Sequence, residues 1–450
     1  MNKTSLPAGP RSRIPGALLR EIWCDPLAFL TNTQQRYGDL AGFQIGTQRI
    51  YLLSRPDFVQ SVLVEDNRLF IKSRSNDYMK LILGEGILTT EGETHHRAKR
   101  LMQPAFHRER LQAYSRAMVD CATQWSGQWE ARQDSAPISL RSEMLELTLA
   151  IVAKTLFNMD FGERIHSVEA LINTMLPVFR RTSLPFGLWL QKLPLPGNIR
   201  FNRARRQLDI MIDDIIQEHR KAKTDQQDLL SMLLEARDED GSPMSDAQIR
   251  DEAKTIFVAG HDAVSNTLTY ALILLSQHPT IETELVRELN EVLGSRPPTL
   301  SDMPRLTSIE RFVSETLRLY PANWLMARRA TEDYALENYV IPRGSIVLMS
   351  PWVIHRDARF FPNPMQFDLK RWTSEARESR PRFSYFPFGG GPRSCIGEGF
   401  AWMESILVLA TLIQKWRFKT TPDFRLELDP YITLRIRGNV PIHLERRRNL

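Results

Sequence analysis

Cysteine is scarce in this chain. Among 450 residues there are three, Cys24, Cys121 and Cys395, far apart and odd in number. That excludes a disulfide framework and a zinc site built on a CxxC pair. Reduced thiols fit the cytosol. Long apolar runs are missing too. No stretch approaches the ~18 residues needed to span a bilayer. Met1–Gly16 contains Pro and Arg and lacks the apolar core of a signal peptide. These absences predict a cytoplasmic protein with no transmembrane segment. Charge of one sign is in small excess: 59 Lys+Arg less 53 Asp+Glu leaves +6. That is too little and too spread for a nucleic-acid face, though it suits an acidic protein partner. No Gly/Ser linker and no repeat of roughly 20–50 residues divides the chain. The reading is one domain over residues 1–450, with a Pro-containing lead-in over residues 1–30.

What is present is helical pattern with a little strand. Leu40–Leu53 has two β-prone runs about Gly46, which predicts a hairpin. Arg97–Ser276 is mostly helical in period. Strand signals return at Tyr339–Ile341, Ser345–Met349 and Tyr431–Arg437. The polar stretches Lys221–Gln227 and Glu235–Ser245 read as loops. The fold class expected is mainly α, of the α+β kind. One helix stands out. Ser245 and Gln248 form a capping-box pattern, and the helical period runs on to Gln277, where Pro279 stops it. At 1.5 Å per residue this helix is roughly 50 Å long. Its centre, Phe257-Val-Ala-Gly260-His-Asp262-Ala263, sets a buried-looking acid among small residues. Ala259 and Gly260 predict a groove where something lies close to the backbone. A second helix, Ser308–Leu319, carries Glu315 and Arg318 three apart on one face. A third starts just after Cys395.

Some motifs mislead. Asp160-Phe-Gly162 and His355-Arg-Asp357 are kinase-like triplets in the wrong order, with no Gly-rich loop before them. No P-loop, GxGxxG or HExxH occurs. The informative stretch is Phe388-Gly-Gly-Gly391-Pro-Arg393-Ser-Cys395-Ile-Gly397. Glycines let backbone amides turn toward the sulfur, Arg393 adds positive charge, and the following helix N-terminus favours a thiolate. Such a sulfur is a nucleophile or a metal ligand; the plainer alternative is a buried, inert cysteine.

The stretch resembles the cysteine loop of the cytochrome P-450 superfamily of haem-thiolate monooxygenases, in its soluble bacterial form. The signature Phe-x-x-Gly-x-Arg-x-Cys-x-Gly is matched at every fixed position. In the family's order come Ala259–Asp262, Glu315-Thr-Leu-Arg318 and Pro364-x-x-Phe367-x-x-x-Arg371-Trp372. The resemblance runs from about Gly38 to the C-terminus. It implies the P-450 fold, a helix-rich domain with small β-sheets and a long central helix over haem. It makes 388–397 the haem-ligand loop and Cys395 the axial ligand to the iron of haem b (iron protoporphyrin IX). A thiolate there favours O–O cleavage. Phe388 then shields the ligand and Gly397 leaves a flat approach. Glu315, Arg318 and Arg371 correspond to a buried ion-pair network, where an unaided reading gives a solvated bridge. His95, Lys99 and Arg328 correspond to propionate partners, with Arg329 the neighbour easily confused with Arg328. His355 and Arg393 are further candidates.

One departure matters. Where the family has a threonine after the acid of its oxygen-activation motif, this chain has Ala263 after Asp262. Ser265 points away around the helix and Thr267 lies about 6 Å further along it. The expectation is that an ordered water or a substrate hydroxyl completes proton delivery. The resemblance places Tyr78, Met79, Leu81, Ile87, Phe257, Val258, Ala259, Ala263, Asn323, Trp324, Leu325 and Ile432 toward substrate. Core packing is the plain alternative for about half of such a set. A mainly apolar pocket takes a lipophilic small molecule: a fatty acid, a terpenoid or steroid, or a macrocyclic natural product. The reaction expected is insertion of one oxygen atom from O2. Electrons are expected from a separate ferredoxin or flavodoxin-type donor and its reductase, drawn to basic residues such as Arg97, Arg100 and Arg393. Two other functions stay open: a peroxide-driven or isomerising haem-thiolate enzyme, suggested by Ala263, and a non-catalytic haem-binding sensor.

Overall fold

A turn at Gly46, with φ +59°, reverses the chain between strands Leu40–Ile45 and Gln48–Leu53 and forms the expected hairpin. The computed structural model describes residues 6–73, 75–106, 108–131, 136–160, 162, 170–172, 174–175, 187–222, 228–238 and 240–447. Most of the Lys221–Gln227 loop lies outside the described residues. Among them the chain falls into two compact units. One comprises Met1–Arg74, Arg311–Cys395 and Leu428–Arg435; the other comprises Ser75–Glu310, Ile396–Glu427 and Ile436–Leu450.

The first unit is built on a five-stranded sheet. The hairpin strand Gln48–Leu53 pairs in parallel with Ile346–Met349, which pairs antiparallel with Met326–Ala330. Phe70–Lys72 closes the far edge, with Lys72 opposite Arg328. Tyr51, Leu53, Phe58, Val59, Phe70, Val347 and Met349 form the apolar core against this sheet. Tyr339–Ile341 is a strand as expected, paired with Tyr334–Leu336. Of Tyr431–Arg437 only Leu434–Ile436 is a strand.

The second unit is helical. The long helix spans Asp246–Gln277, or about 48 Å. Ser245 Oγ accepts from Gln248 N, but the box is only half formed. Gln248 spends its side-chain oxygen on Arg97 Nη1 at 3.1 Å instead. Helix Leu140–Phe157 packs along the long helix: a Cβ at Gly260 would stand 3.1 Å from Val152 Cγ2. The groove expected at Gly260 is therefore filled, at that position, by a neighbouring helix. Helix Glu398–Lys415 follows the cysteine loop and runs into strand Trp416–Thr420 of a three-stranded sheet. No helix among the described residues is long and apolar enough to cross a membrane.

Candidate active site

Glycine shapes the cysteine loop. Gly389 and Gly391 take φ of +76° and +67°, values that L side chains resist. Three backbone bonds of 3.0 Å close the loop: Gly389 N to Phe386 O, Ser394 N to Gly391 O and Cys395 N to Phe388 O. A Cβ at Gly391 would overlap the Leu63 carbonyl oxygen, and one at Gly390 would overlap the Phe383 ring. Strand Met326–Ala330, which carries Arg328, runs beside the loop, with Met326 Cε 3.5 Å from a Cβ built at Gly389. The loop ends with the Cys395 side chain exposed, which removes the reading of a buried, inert cysteine. Phe388, Arg393, Gly397 and Arg328 are half-buried. An exposed thiol on a braced loop, with arginines on the loop and on the strand beside it, is a donor set that fits a thiolate-held porphyrin. Of the other two thiols, Cys24 is also exposed, and burial, then Asp120 and Glu404, push the Cys121 pKa up to about 11.

Glu315, Arg318 and Arg371 come together. Glu315 and Arg318 are fully buried. Glu315 accepts from Arg318 Nε and Nη2, both at 2.8 Å, and from Trp372 Nε1 at 2.9 Å. Arg371 Nε stands 3.3 Å from Glu315 Oε1. Arg318 Nη1 donates to the carbonyls of His355 and Pro364 at 2.9 and 2.7 Å. This cluster ties helix Thr307–Leu319 to the segment before the cysteine loop.

His355 differs from its expectation as a propionate cation. It is fully buried, and its Nε2 accepts from Phe386 N at 3.0 Å. Burial, then the charges of Arg318 and Arg356, hold its pKa well below the usual histidine value. The ring is neutral and packs in an aromatic cluster with Tyr385 and Phe386. In the second unit, His95 and Lys99 lie on helix Gly92–Met102, His95 buried and Lys99 half-buried.

The long helix is buried from Glu252 to Leu275 except at four residues. Val258, Gly260 and Ala263 are half-buried and Ala259 is exposed. The opening falls beside Asp262, which is buried. The nearby side-chain donors are spent on backbone. Thr267 Oγ1 donates to Ala263 O at 2.9 Å, Ser265 Oγ to Asp262 O at 2.9 Å and Asn266 Nδ2 to Asp262 O at 2.7 Å. Ser265 and Thr267 thus spend their hydroxyl protons within the helix.

The residues expected at substrate divide. Tyr78, Met79, Leu81, Ile87, Leu325 and Ile432 are half-buried and Asn323 is exposed. Trp324 is buried, its Nε1 donating to Tyr431 O at 3.0 Å, and Leu434 N reaches Ala322 O at 2.9 Å. The segments at 321–326 and 431–434 are thus brought together. Phe257 is fully buried, edge-on to Phe157 at 5.8 Å, so it belongs to the core. Arg97 and Arg100, expected to face a donor, both pair with Asp238, at 2.6 and 2.5 Å. The sequence reading missed the contact of Asp251 and Glu252 with the segment before Ile87. Its signal is Gly84-Glu-Gly86, whose alternating glycines mark close backbone approach.

The family model for cytochrome P450 matches residues 9–436. The chain belongs to the cytochrome P450 family. Similar proteins include cyclooctatin synthase of Streptomyces melanosporofaciens, 38% identical over 91% of this chain and 89% of that protein. Pentalenene oxygenase of Streptomyces avermitilis is 35% identical over 88% of each. Cyclooctat-9-en-7-ol 5-monooxygenase of S. melanosporofaciens is 33% identical over 89% and 87%. The crystal structure of the cytochrome P450DA heme domain superposes with a TM-score of 0.89 at 26% identity, covering 98% of each chain. The fold is that of a P450, and the protein is a P450 monooxygenase with haem-thiolate chemistry.

Proposed function

We propose that this P450 hydroxylates a cyclic terpenoid, using one oxygen atom of O2 and electrons from a separate ferredoxin or flavodoxin-type donor and its reductase. The observation that carries the reading is the pair of relatives at 33 and 35% identity whose names describe oxygenation of an unsaturated cyclic alcohol and of pentalenene. The apolar opening at Val258, Ala259 and Ala263 supports it. In this reading residues 1–450 act as one functional domain in the cytoplasm. The cofactor is haem b, held by Cys395, with His95, Lys99, Arg328 and Arg393 toward its propionates. When bound, the haem supplies O2 activation, which its thiolate ligand promotes. The chain's own residues do the rest. Gly389–Gly391 fix the thiol, Phe388 limits water at it, and Gly397 keeps the approach flat. The Glu315, Arg318 and Arg371 cluster, with His355 beside it, braces the loop.

The family resemblance implies substrate contact for Tyr78, Met79, Ile87, Val258, Ala259, Ala263, Leu325 and Ile432, while Phe257 and Trp324 are buried. Asp262 holds a proton-carrying water in place of the threonine hydroxyl. The spent hydroxyl of Thr267 also favours a second reading, a peroxide-driven or isomerising enzyme. Turnover of pentalenene with a ferredoxin system separates the two. Oxygenated product that needs the donor supports the first; product from peroxide alone, without the donor, overturns it. Ala263→Thr is expected to change the fraction of electrons lost as peroxide, because a new hydroxyl competes with the water at Asp262. Unchanged peroxide yield and unchanged product contradict that role.

A further inference from the structure

Two consecutive acids on the long helix grip the segment that leads to Ile87. Glu85 N donates to Asp251 Oδ2 at 2.8 Å, and Ile87 N donates to Glu252 Oε2 at 2.8 Å. Gly84 and Gly86, on either side of Glu85, are glycines for a steric reason. A Cβ at Gly84 would overlap the Asp251 carboxylate. One at Gly86 would overlap the Thr255 hydroxyl and stand 2.8 Å from the Asp251 carbonyl. The other Asp251 oxygen meets Lys254 Nζ at 2.9 Å. Lys254 is buried and also meets Asp209 at 2.8 Å, on helix Pro196–Ala222. A continuous chain of charge-assisted contacts therefore runs from that helix through Lys254 and Asp251 to the Glu85 amide. Such bonds are short and directional. Removing an acceptor leaves a donor to find another partner, and the segment must move to do so.

The helical period connects this grip to the opening. Glu252, Thr255, Ala259 and Ala263 recur at three- and four-residue steps, so they share one stripe of the helix. The stripe is covered where Gly84–Ile87 docks and opens at Ala259 and Ala263. Ile87 is half-buried, and Leu88 is 43% exposed.

We infer that Asp251 and Glu252 are positioning residues for substrate: by holding the Glu85 and Ile87 amides they set where Ile87 and Leu88 stand, and so determine which substrates fit. The inference deepens the proposed function and rests on its placing of Ile87 and Ala259 at the pocket. Displacements of an ångström at such a wall are enough to change turnover by orders of magnitude.

The test uses the haem-loaded enzyme and two probes, imidazole and phenylimidazole, titrated by the change in haem absorption. Imidazole lacks the phenyl ring and serves as the reference for access to the haem. Asp251→Ala and Glu252→Ala are expected to change the affinity ratio of the two azoles by about tenfold. They should also speed hydrogen exchange at the Glu85 and Ile87 amides. Glu252→Gln keeps an acceptor and should hold the ratio within about twofold of wild type. Gly86→Ala should reproduce the change, with partial rescue by Thr255→Ala, and serves if an alanine variant does not fold. Variants that melt with wild type yet keep its azole ratio and slow exchange overturn the inference. A wild-type enzyme that gives no azole shift overturns the haem-thiolate reading itself, and this inference with it.

Discussion

At the scale of single residues, the loop glycines are as restrictive as the cysteine they present. Gly391→Ala places a side chain at positive φ, which costs about 1–3 kcal/mol, and against the Leu63 carbonyl. The expected result is a lower melting temperature and less haem bound per chain, measured as Soret absorbance over protein absorbance. The buried pair makes a similar claim. Arg318→Ala leaves the Glu315 carboxylate uncompensated where neither residue is exposed, a loss of about 3–5 kcal/mol. Thermal unfolding should show it, and Arg318→Lys should recover only part, since one ammonium cannot reproduce the fork that spans Glu315 and the carbonyls of His355, Pro364 and Gln366. The cysteine, its glycines and the Glu–Arg pair were legible in sequence because each is a fixed residue in a fixed spacing. His355 differs from its expectation because sequence carries no burial: an imidazole that titrates near neutral pH in water is held neutral when packed with Tyr385 and Phe386. The same lack hides that Phe257 and Trp324 are buried.

At the scale of elements, period and punctuation located the helices well. Ser245, Gln277 and Pro279 bound the long helix because capping and proline act locally. What sequence could not give was the partner of each face. Gly260 marks a close approach, and only packing identifies Val152 as the neighbour that uses it. Gln248 has the capping-box spacing, yet Arg97 takes its oxygen. A contact of this kind also joins helices Pro196–Ala222 and Leu229–Glu235. His219 Nε2 lies 2.8 Å from Asp228 Oδ2 with both side chains buried, and Asp228 Oδ1 caps Ser231 N at 2.7 Å. Burial works against the charged ring, but the Asp228 bond and charge, with Glu218, outweigh it and raise the pKa. A raised folded-state pKa gives stability that is complete below the unfolded value of about 6.5. It is lost as pH climbs through the raised value. The melting advantage of wild type over His219→Gln should therefore shrink as pH rises above about 6.5. A constant or growing advantage would falsify the charged-pair account.

At the scale of the whole molecule, the sequence reading expected one domain, and the contacts divide into two units whose chain segments alternate. The net charge of +6 also looks different once pairing is known. Arg97 and Arg100 share Asp238, and Arg97, with a side chain 29% exposed against 51% for Arg100, is the poorer candidate for steering an acidic donor. Arg97→Ala should destabilise the enzyme while leaving donor-dependent reduction near the wild-type rate. Stopped-flow reduction across ionic strength checks this: steering should weaken with salt equally in both proteins.

The central claim is that Cys395 supplies a thiolate to haem iron, and the absorption spectrum of the reduced carbonyl complex tests it most directly. Wild type should show the strongly red-shifted Soret band of a thiolate-ligated haem, and Cys395→Ser, folded and haem-loaded, should lose it. A wild-type band at the position of a histidine-ligated haem, or a red-shifted band that survives in Cys395→Ser, would contradict the account.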